Sequence, residues 1–141
     1  MNNIFFVMLG LIWACHAEEY LFAGKHFFSS YMGCDETAIN NVDELVKAVD
    51  EAVKSSGATI LDKSQFVFSS NGITIAYLLS ESHASIHTYP EHNAIFVDLF
   101  TCGDHCSAKR FDEALRAYLK PQKVNTKYFL RSETVEEIAP N

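Results

Sequence analysis

Residues 59–80 read TILDKSQFVFSSNGITIAYLLS, two runs rich in β-branched and aromatic residues on either side of Ser69-Ser70-Asn71-Gly72. Asn-Gly supplies the positive φ values that a tight hairpin needs, so the segment predicts antiparallel strands over Thr59 to Phe68 and Ile73 to Ser80. Upstream, Lys25 to Met32 is short and aromatic and predicts a first strand, closed by Gly33-Cys34-Asp35. Asn41 then offers an N-cap with Glu44 three residues on. Val42, Leu45, Val46, Val49 and Val53 recur at helical spacing, which predicts a helix over Val42 to Ser56 stopped by Gly57. Downstream, Ser85 to Thr88 and Ala94 to Thr101 predict two more strands. Between them lies Tyr89-Pro90-Glu91-His92-Asn93, where Pro90 lacks the N–H that a central ladder requires. A second helix over Ala108 to Leu119 has Ser107 as N-cap, Phe111, Leu115 and Tyr118 on one face, and Pro121 beyond its end. Val124 to Arg131 predicts a last strand, and Ser132 to Asn141 is an acidic tail expected to stay mobile.

Two helices cannot cover both faces of a sheet of about six strands. The predicted fold is therefore a two-layer α+β sandwich, a mainly antiparallel sheet with its helices on one face. The bare face then needs a partner surface, which points to a homodimer. No internal repeat or linker divides the 141 residues, a length that suits one domain.

Charge narrows the function classes. With 11 Lys+Arg against 18 Asp+Glu the formal net charge is -7, so a phosphate backbone would repel this chain and nucleic acid is not its partner. Ile4 to Ala14 is an apolar run of 11 residues, too short to span a bilayer. Followed by Cys15-His16-Ala17, it matches the h-region and cleavage site of a secretory signal, although Met1-Asn2-Asn3 carries no Lys or Arg. Residues 1–17 are thus a possible signal peptide or an apolar leader, and export stays open on this segment alone. Four cysteines (Cys15, Cys34, Cys102, Cys106) do not make a dense disulfide framework.

Reactive side chains crowd between Glu81 and Cys106, including four of the six histidines: His83, His87, His92 and His105. Such a window is read first as a metal site or as a nucleophile with its base. His83 and His87 lie on an extended stretch that separates their Cα atoms by roughly 13 Å, too far for one ion. Cys102, His105 and Cys106 offer two thiolates and an imidazole, but a second cysteine pair is lacking and no metal is assigned. Ser82 lacks the glycines of a nucleophile elbow. Cys102 with His87 remains as a thiol–imidazole pair to be tested.

The same residues carry a resemblance. Glu81-Ser82-His83-Ala84-Ser85-Ile86-His87-Thr88-Tyr89-Pro90-Glu91, with Asp98-Leu99-Phe100-Thr101-Cys102-Gly103-Asp104 after it, resembles the processing and active-site core of the prokaryotic S-adenosylmethionine decarboxylase proenzymes. Gly24-Lys25-His26, Gly33-Cys34-Asp35 and Ser56-Gly57-Ala58-Thr59 match as well. The likeness runs from about Gly24 to Arg131, within a decarboxylase domain spanning 18–131, between the leader and the acidic tail 132–141.

The resemblance implies a carboxy-lyase, a zymogen that cuts itself between Glu81 and Ser82 into β and α chains. Ser82 becomes a pyruvoyl cofactor that forms a Schiff base with S-adenosylmethionine, and the product serves spermidine biosynthesis. By the same likeness His87 serves processing, Cys102 is the proton donor, Phe68 stacks on the adenine and Glu91 contacts the ribose. An ordinary thiol keeps its proton at neutral pH, as a donor needs. The family also implies a homodimer of αβ protomers and a cytoplasmic reaction. Thr74 stands where the family has a processing serine. Ser70-Asn71, Tyr89 and His92-Asn93 also depart from the family pattern near the substrate pocket. These departures keep a second substrate class in view, ornithine or arginine, and a homologue that binds without processing.

Overall fold

The computed structural model describes residues 22–139. The leader reading for residues 1–17 lies outside them. Among the described residues no helix is long and apolar enough to cross a membrane.

Among the described residues seven strands form one antiparallel sheet: β1 (Gly24–Met32), β2 (Ile60–Val67), β3 (Ile73–Leu79), β4 (Ser82–Tyr89), β5 (Ala94–Thr101), β6 (Lys123–Arg131) and β7 (Val135–Glu137). Their order is β2-β3-β4-β5-β1-β6-β7, so the first strand inserts between β5 and β6. Three helices, α1 (Glu36–Asn40), α2 (Val42–Ser55) and α3 (Ala108–Leu119), share one buried cluster with alternate strand residues. Phe27 and Tyr31 of β1, Ile73 and Ile75 of β3, and Ile95, Val97 and Leu99 of β5 meet Leu45, Val49 and Val53 of α2 and Phe111, Leu115 and Leu119 of α3 there. Burying each such side chain stabilises the fold by about 1.5–3 kcal/mol. The α+β sandwich with its helices over one face is as expected.

Local chemistry explains the helix limits. The Asn41 side chain accepts from Glu44 N–H at 3.3 Å, and Ser107 accepts from Arg110 N–H at 3.3 Å. Gly57 follows α2 with φ +94°, and Lys120 closes α3 with φ 47°. Asp112 of α3 fixes that helix to the sheet, because Tyr31 donates its hydroxyl to Oδ1 at 2.5 Å while Arg116 Nε donates to Oδ2 at 2.8 Å.

Four details correct the sequence reading. The β2–β3 connection is wider than a two-residue turn: Phe68 N–H donates to Gly72 O at 2.7 Å, and Asn71 alone takes a positive φ, 65°. Strand β4 starts at Ser82, three residues earlier than predicted. Tyr118 is only partly buried, its hydroxyl donating to Ala38 O, while Leu119 takes the core position. Within the tail, Val135–Glu137 pair with β6 as a seventh strand, so edge hydrogen bonding orders residues that sequence left without an element.

Among the described residues nothing covers the sheet face opposite the helices. Phe66 (63% exposed), Leu78 (55%), Phe96 (42%) and Phe28 (39%) stand on it. Cross-strand registers place Thr74, His87 and Phe96 in one row, and Leu78, His83, Phe100, His26 and Phe129 in another.

Candidate active site

Strands β3 and β4 are joined by a two-residue turn, Ser80 and Glu81, with Leu79 paired to Ser82. Ser82 has φ 144°. That region is populated essentially by glycine, and holding another residue there costs on the order of 1–3 kcal/mol. Ser82 pairs with Leu79 and Thr101, and Glu81 before it is held by polar contacts. Its backbone carbonyl accepts from Cys102 N–H at 2.9 Å, and its carboxylate accepts from Thr59 N–H at 2.9 Å. His105 Nε2 lies 3.4 Å from the other carboxylate oxygen. Burial alone would push the Glu81 carboxyl upward, but the hydrogen bonds from Thr59 and His105 outweigh it and hold it below the ordinary value.

Successive strand residues normally face opposite ways. At Ser82 the unusual φ coincides with the opposite result: its Oγ lies 3.3 Å from Nδ1 of the next residue, His83. The His83 ring in turn packs on Phe100, centroids 5.5 Å apart. A hydroxyl, an imidazole and a carbonyl already accepting a hydrogen bond thus meet at one peptide, the parts needed for an intramolecular acyl shift.

Cys102 follows β5 beside this peptide. Its thiol borders a cavity of about 230 Å³, also lined by Phe22, Gly24, Phe100 and Arg131. Gly24 is required there, since a Cβ would run into the Phe100 ring. The Arg131 guanidinium sits over the same ring, 4.6 Å from its centroid, and brings a positive charge to the cavity.

A second group lies further along β4. Thr74 Oγ1 is 2.6 Å from His87 Nδ1, so the threonine keeps the hydroxyl contact despite its extra methyl. The His87 ring meets Phe68 at 5.7 Å and Tyr89 at 4.5 Å. Glu91 is exposed on the 3-10 turn Pro90–His92.

Of the residues singled out from sequence, Glu81, Ser82 and Cys102 therefore meet, and Thr74, His87 and Phe68 meet, but the two groups do not. Five strand residues from Ser82 to His87 span about 16 Å. The same separation removes the Cys102–His87 thiol–imidazole pair, because His87 pairs with Phe96, five residues before Thr101 on β5. His83, Thr59 and His105 were not assigned roles from sequence. His83 was within reach of such an assignment as the neighbour of Ser82, whereas Thr59 and His105 reach Glu81 only through the fold.

The family model described as S-adenosylmethionine decarboxylase matches residues 25–132. An S-adenosylmethionine decarboxylase proenzyme from Pyrobaculum islandicum is 36% identical over 110 residues, 77% of this chain and 88% of that one. One from Methanococcus aeolicus is 37% identical over 113 residues, 80% of this chain and 97% of that one. The crystal structure of the adenosylmethionine decarboxylase from Aquifex aeolicus superposes with a TM-score of 0.71 at 32% identity, covering 84% of this chain and 97% of its own.

Proposed function

Because the chain belongs to the S-adenosylmethionine decarboxylase family, we propose that it is a carboxy-lyase made as a proenzyme, which cuts itself between Glu81 and Ser82 and then decarboxylates S-adenosylmethionine for spermidine synthesis. The single observation that carries the reading is the Glu81–Ser82 peptide. Its carbonyl is polarised by Cys102 N–H, its hydroxyl lies against His83, and its backbone is strained at φ 144°.

Ser82 Oγ attacks the Glu81 carbonyl carbon while its proton passes to His83 Nδ1. Negative charge on the carbonyl oxygen is met by Cys102 N–H. The C–N bond then breaks, the nitrogen takes up a proton, and the amide has become an ester. Loss of the Cα proton of Ser82 expels the Glu81 carboxylate and leaves dehydroalanine. Hydrolysis releases ammonia and yields a pyruvoyl group at the head of the α chain, with the β chain ending at Glu81. Position 82 fits that group, since it opens onto a turn whose carbonyl and carboxylate are both held by other segments. Held there, the group would supply an electrophilic carbonyl able to serve as the electron sink for a decarboxylation. Cys102 holds the proton returned to the substrate α carbon, and Phe68 and Glu91 receive the adenine and ribose.

His87 is the base for the Cα proton, oriented by Thr74, and it cannot reach Ser82 of its own chain across about 16 Å of strand. A second copy must bring it. Phe28, Phe66, Leu78 and Phe96 give the bare face the apolar area for such a partner. The two half-sites lie toward opposite ends of β4, so a two-fold axis through the face sets each against the other's complement. Each site then combines Glu81, Ser82 and Cys102 of one protomer with Thr74, His87 and Phe68 of its partner. A cytoplasmic reaction fits that substrate and its use in polyamine synthesis.

Intact mass spectrometry of the purified protein tests this, with carbon dioxide release measured from S-adenosylmethionine, ornithine and arginine. Two chains meeting at residues 81 and 82, a pyruvoyl mass, and release from S-adenosylmethionine alone are expected. One uncut chain with an ordinary serine overturns the reading.

A further inference from the structure

We propose that Glu81, His105 and Cys106 form a binding site for one zinc-class divalent ion, which staples the two chains together beside the cleaved bond. One donor atom from each lies within 4.8 Å of the others. Glu81 Oε1 and His105 Nε2 are 3.4 Å apart, a separation that two ligands on one tetrahedral zinc with bonds of about 2.0 Å take up.

Gly103 marks the convergence independently. A Cβ there would meet Glu81 Cγ at 2.9 Å, Cys106 Sγ at 3.1 Å and His105 Cε1 at 3.1 Å, so three side chains from two segments close around one backbone point. Glu81 and Cys106 are buried, 9% and 5% exposed, and therefore fixed. The exposed His105 has freedom to swing and close the remaining gap. The second carboxylate oxygen of Glu81 is held by Thr59 N–H, which leaves Oε1 aimed at the site in the way an outer hydrogen bond orients a ligand.

The donor set selects the ion. Thiolate and imidazole favour zinc over magnesium or calcium, and a carboxylate with a thiolate balances its two charges. On binding, the Cys106 thiol gives its proton to water as the sulfur–metal bond forms, His105 binds as neutral imidazole through Nε2, and a water fills the fourth position. Cys102 is not part of the cluster.

Position supplies the role. Glu81 lies on one side of the scissile peptide and His105 and Cys106 on the other, so after cleavage the ion bridges the end of the β chain to the α chain. The staple rests on the self-cleavage reading; the metal site does not.

Tag-free wild-type protein and the uncut Ser82→Ala variant are titrated with cobalt(II). One equivalent giving a thiolate-to-cobalt charge-transfer band in both is expected. Cys106→Ser should abolish the band, and His105→Ala should weaken cobalt binding at least tenfold. A titration without a sulfur band, or a band that survives Cys106→Ser, overturns the site. Zinc K-edge absorption on the wild type needs no substitution: one sulfur near about 2.3 Å supports the site, and an all oxygen and nitrogen shell overturns it. For the staple, zinc should slow release of the β chain from the mature protein in denaturant at least tenfold, and an unchanged rate overturns that role. A wild type that never cuts yet shows the sulfur band ends the processing reading and the staple while leaving the metal site standing.

Discussion

Ser82 is the residue on which chemistry and backbone agree, because an amide whose flanking φ is strained has more to gain from rearranging than a relaxed one. The two histidines proposed to serve it do so at different steps, which separates them experimentally. His83 touches Ser82 Oγ, so His83→Gln should slow the amide-to-ester step by about 10²–10⁴-fold, leaving an uncut chain that hydroxylamine does not cleave. His87→Gln should let the ester form and stall, so that hydroxylamine cleaves the chain at Glu81. A hydroxylamine-sensitive His83→Gln chain would reverse the assignment. Cys102 N–H donates to the Glu81 carbonyl, and the role proposed for its thiol is separate, proton return to the substrate. Cys102→Ala keeps the first and loses the second. Self-cleavage should persist in that variant while turnover of S-adenosylmethionine falls by about 10²–10⁴-fold; loss of cleavage would place the thiol in processing.

Elements differ in how far their own sequence fixes them. The Ser107 side chain caps α3 through Arg110 N–H, so Ser107→Ala should lower stability by about 1 kcal/mol in urea unfolding of the uncut Ser82→Ala protein. Helices α2 and α3 were legible because caps and apolar spacing are local, and the bounds read for α3 agree with the structure. The five-residue α1 was missed although Asp35 caps it, accepting from Ala38 N–H at 2.9 Å, because one turn has no periodicity to read. Strand β7 was missed for another reason, since three exposed residues gain their order only from the edge of β6. In the candidate site the grouping of Glu81, Ser82 and Cys102 was legible by resemblance. Two things were not: the reversal of side-chain direction at Ser82, which follows a positive φ, and the grip of Thr59 and His105 on Glu81, which joins residues 22 and 24 positions away. Glycine at 103 is part of that grip. Gly103→Ala places a Cβ 2.9 Å from Glu81 Cγ and should slow self-cleavage by displacing the turn, measured as uncut chain over time.

For the whole molecule, acid and association act on the same turn and face. Burial holds His26 below its ordinary value of 6.5 against the opposing pull of Asp98, and Arg131 and His83 add to the lowering. The folded form therefore binds fewer protons than the unfolded chain as pH falls below 6.5, and stability declines there. Glu81, held below 4.5, adds a second decline as pH falls past that value. Melting temperatures of the uncut Ser82→Ala protein should drop in these two windows, with His26→Gln flattening the first. Association sets the stricter test, because the site as proposed is split along one strand and needs two copies. Neither Ser82→Ala nor His87→Gln should mature alone. In a mixed dimer, however, the Ser82→Ala protomer presents an intact His87 to a His87→Gln protomer that still holds Ser82. Coexpression should therefore release α and β chains from the His87→Gln polypeptide only, at one site per mixed dimer, distinguishable by mass. If the mixture stays uncut, or if His87→Gln matures by itself, the partner does not supply the base and a chain path of about 16 Å must be closed within one protomer.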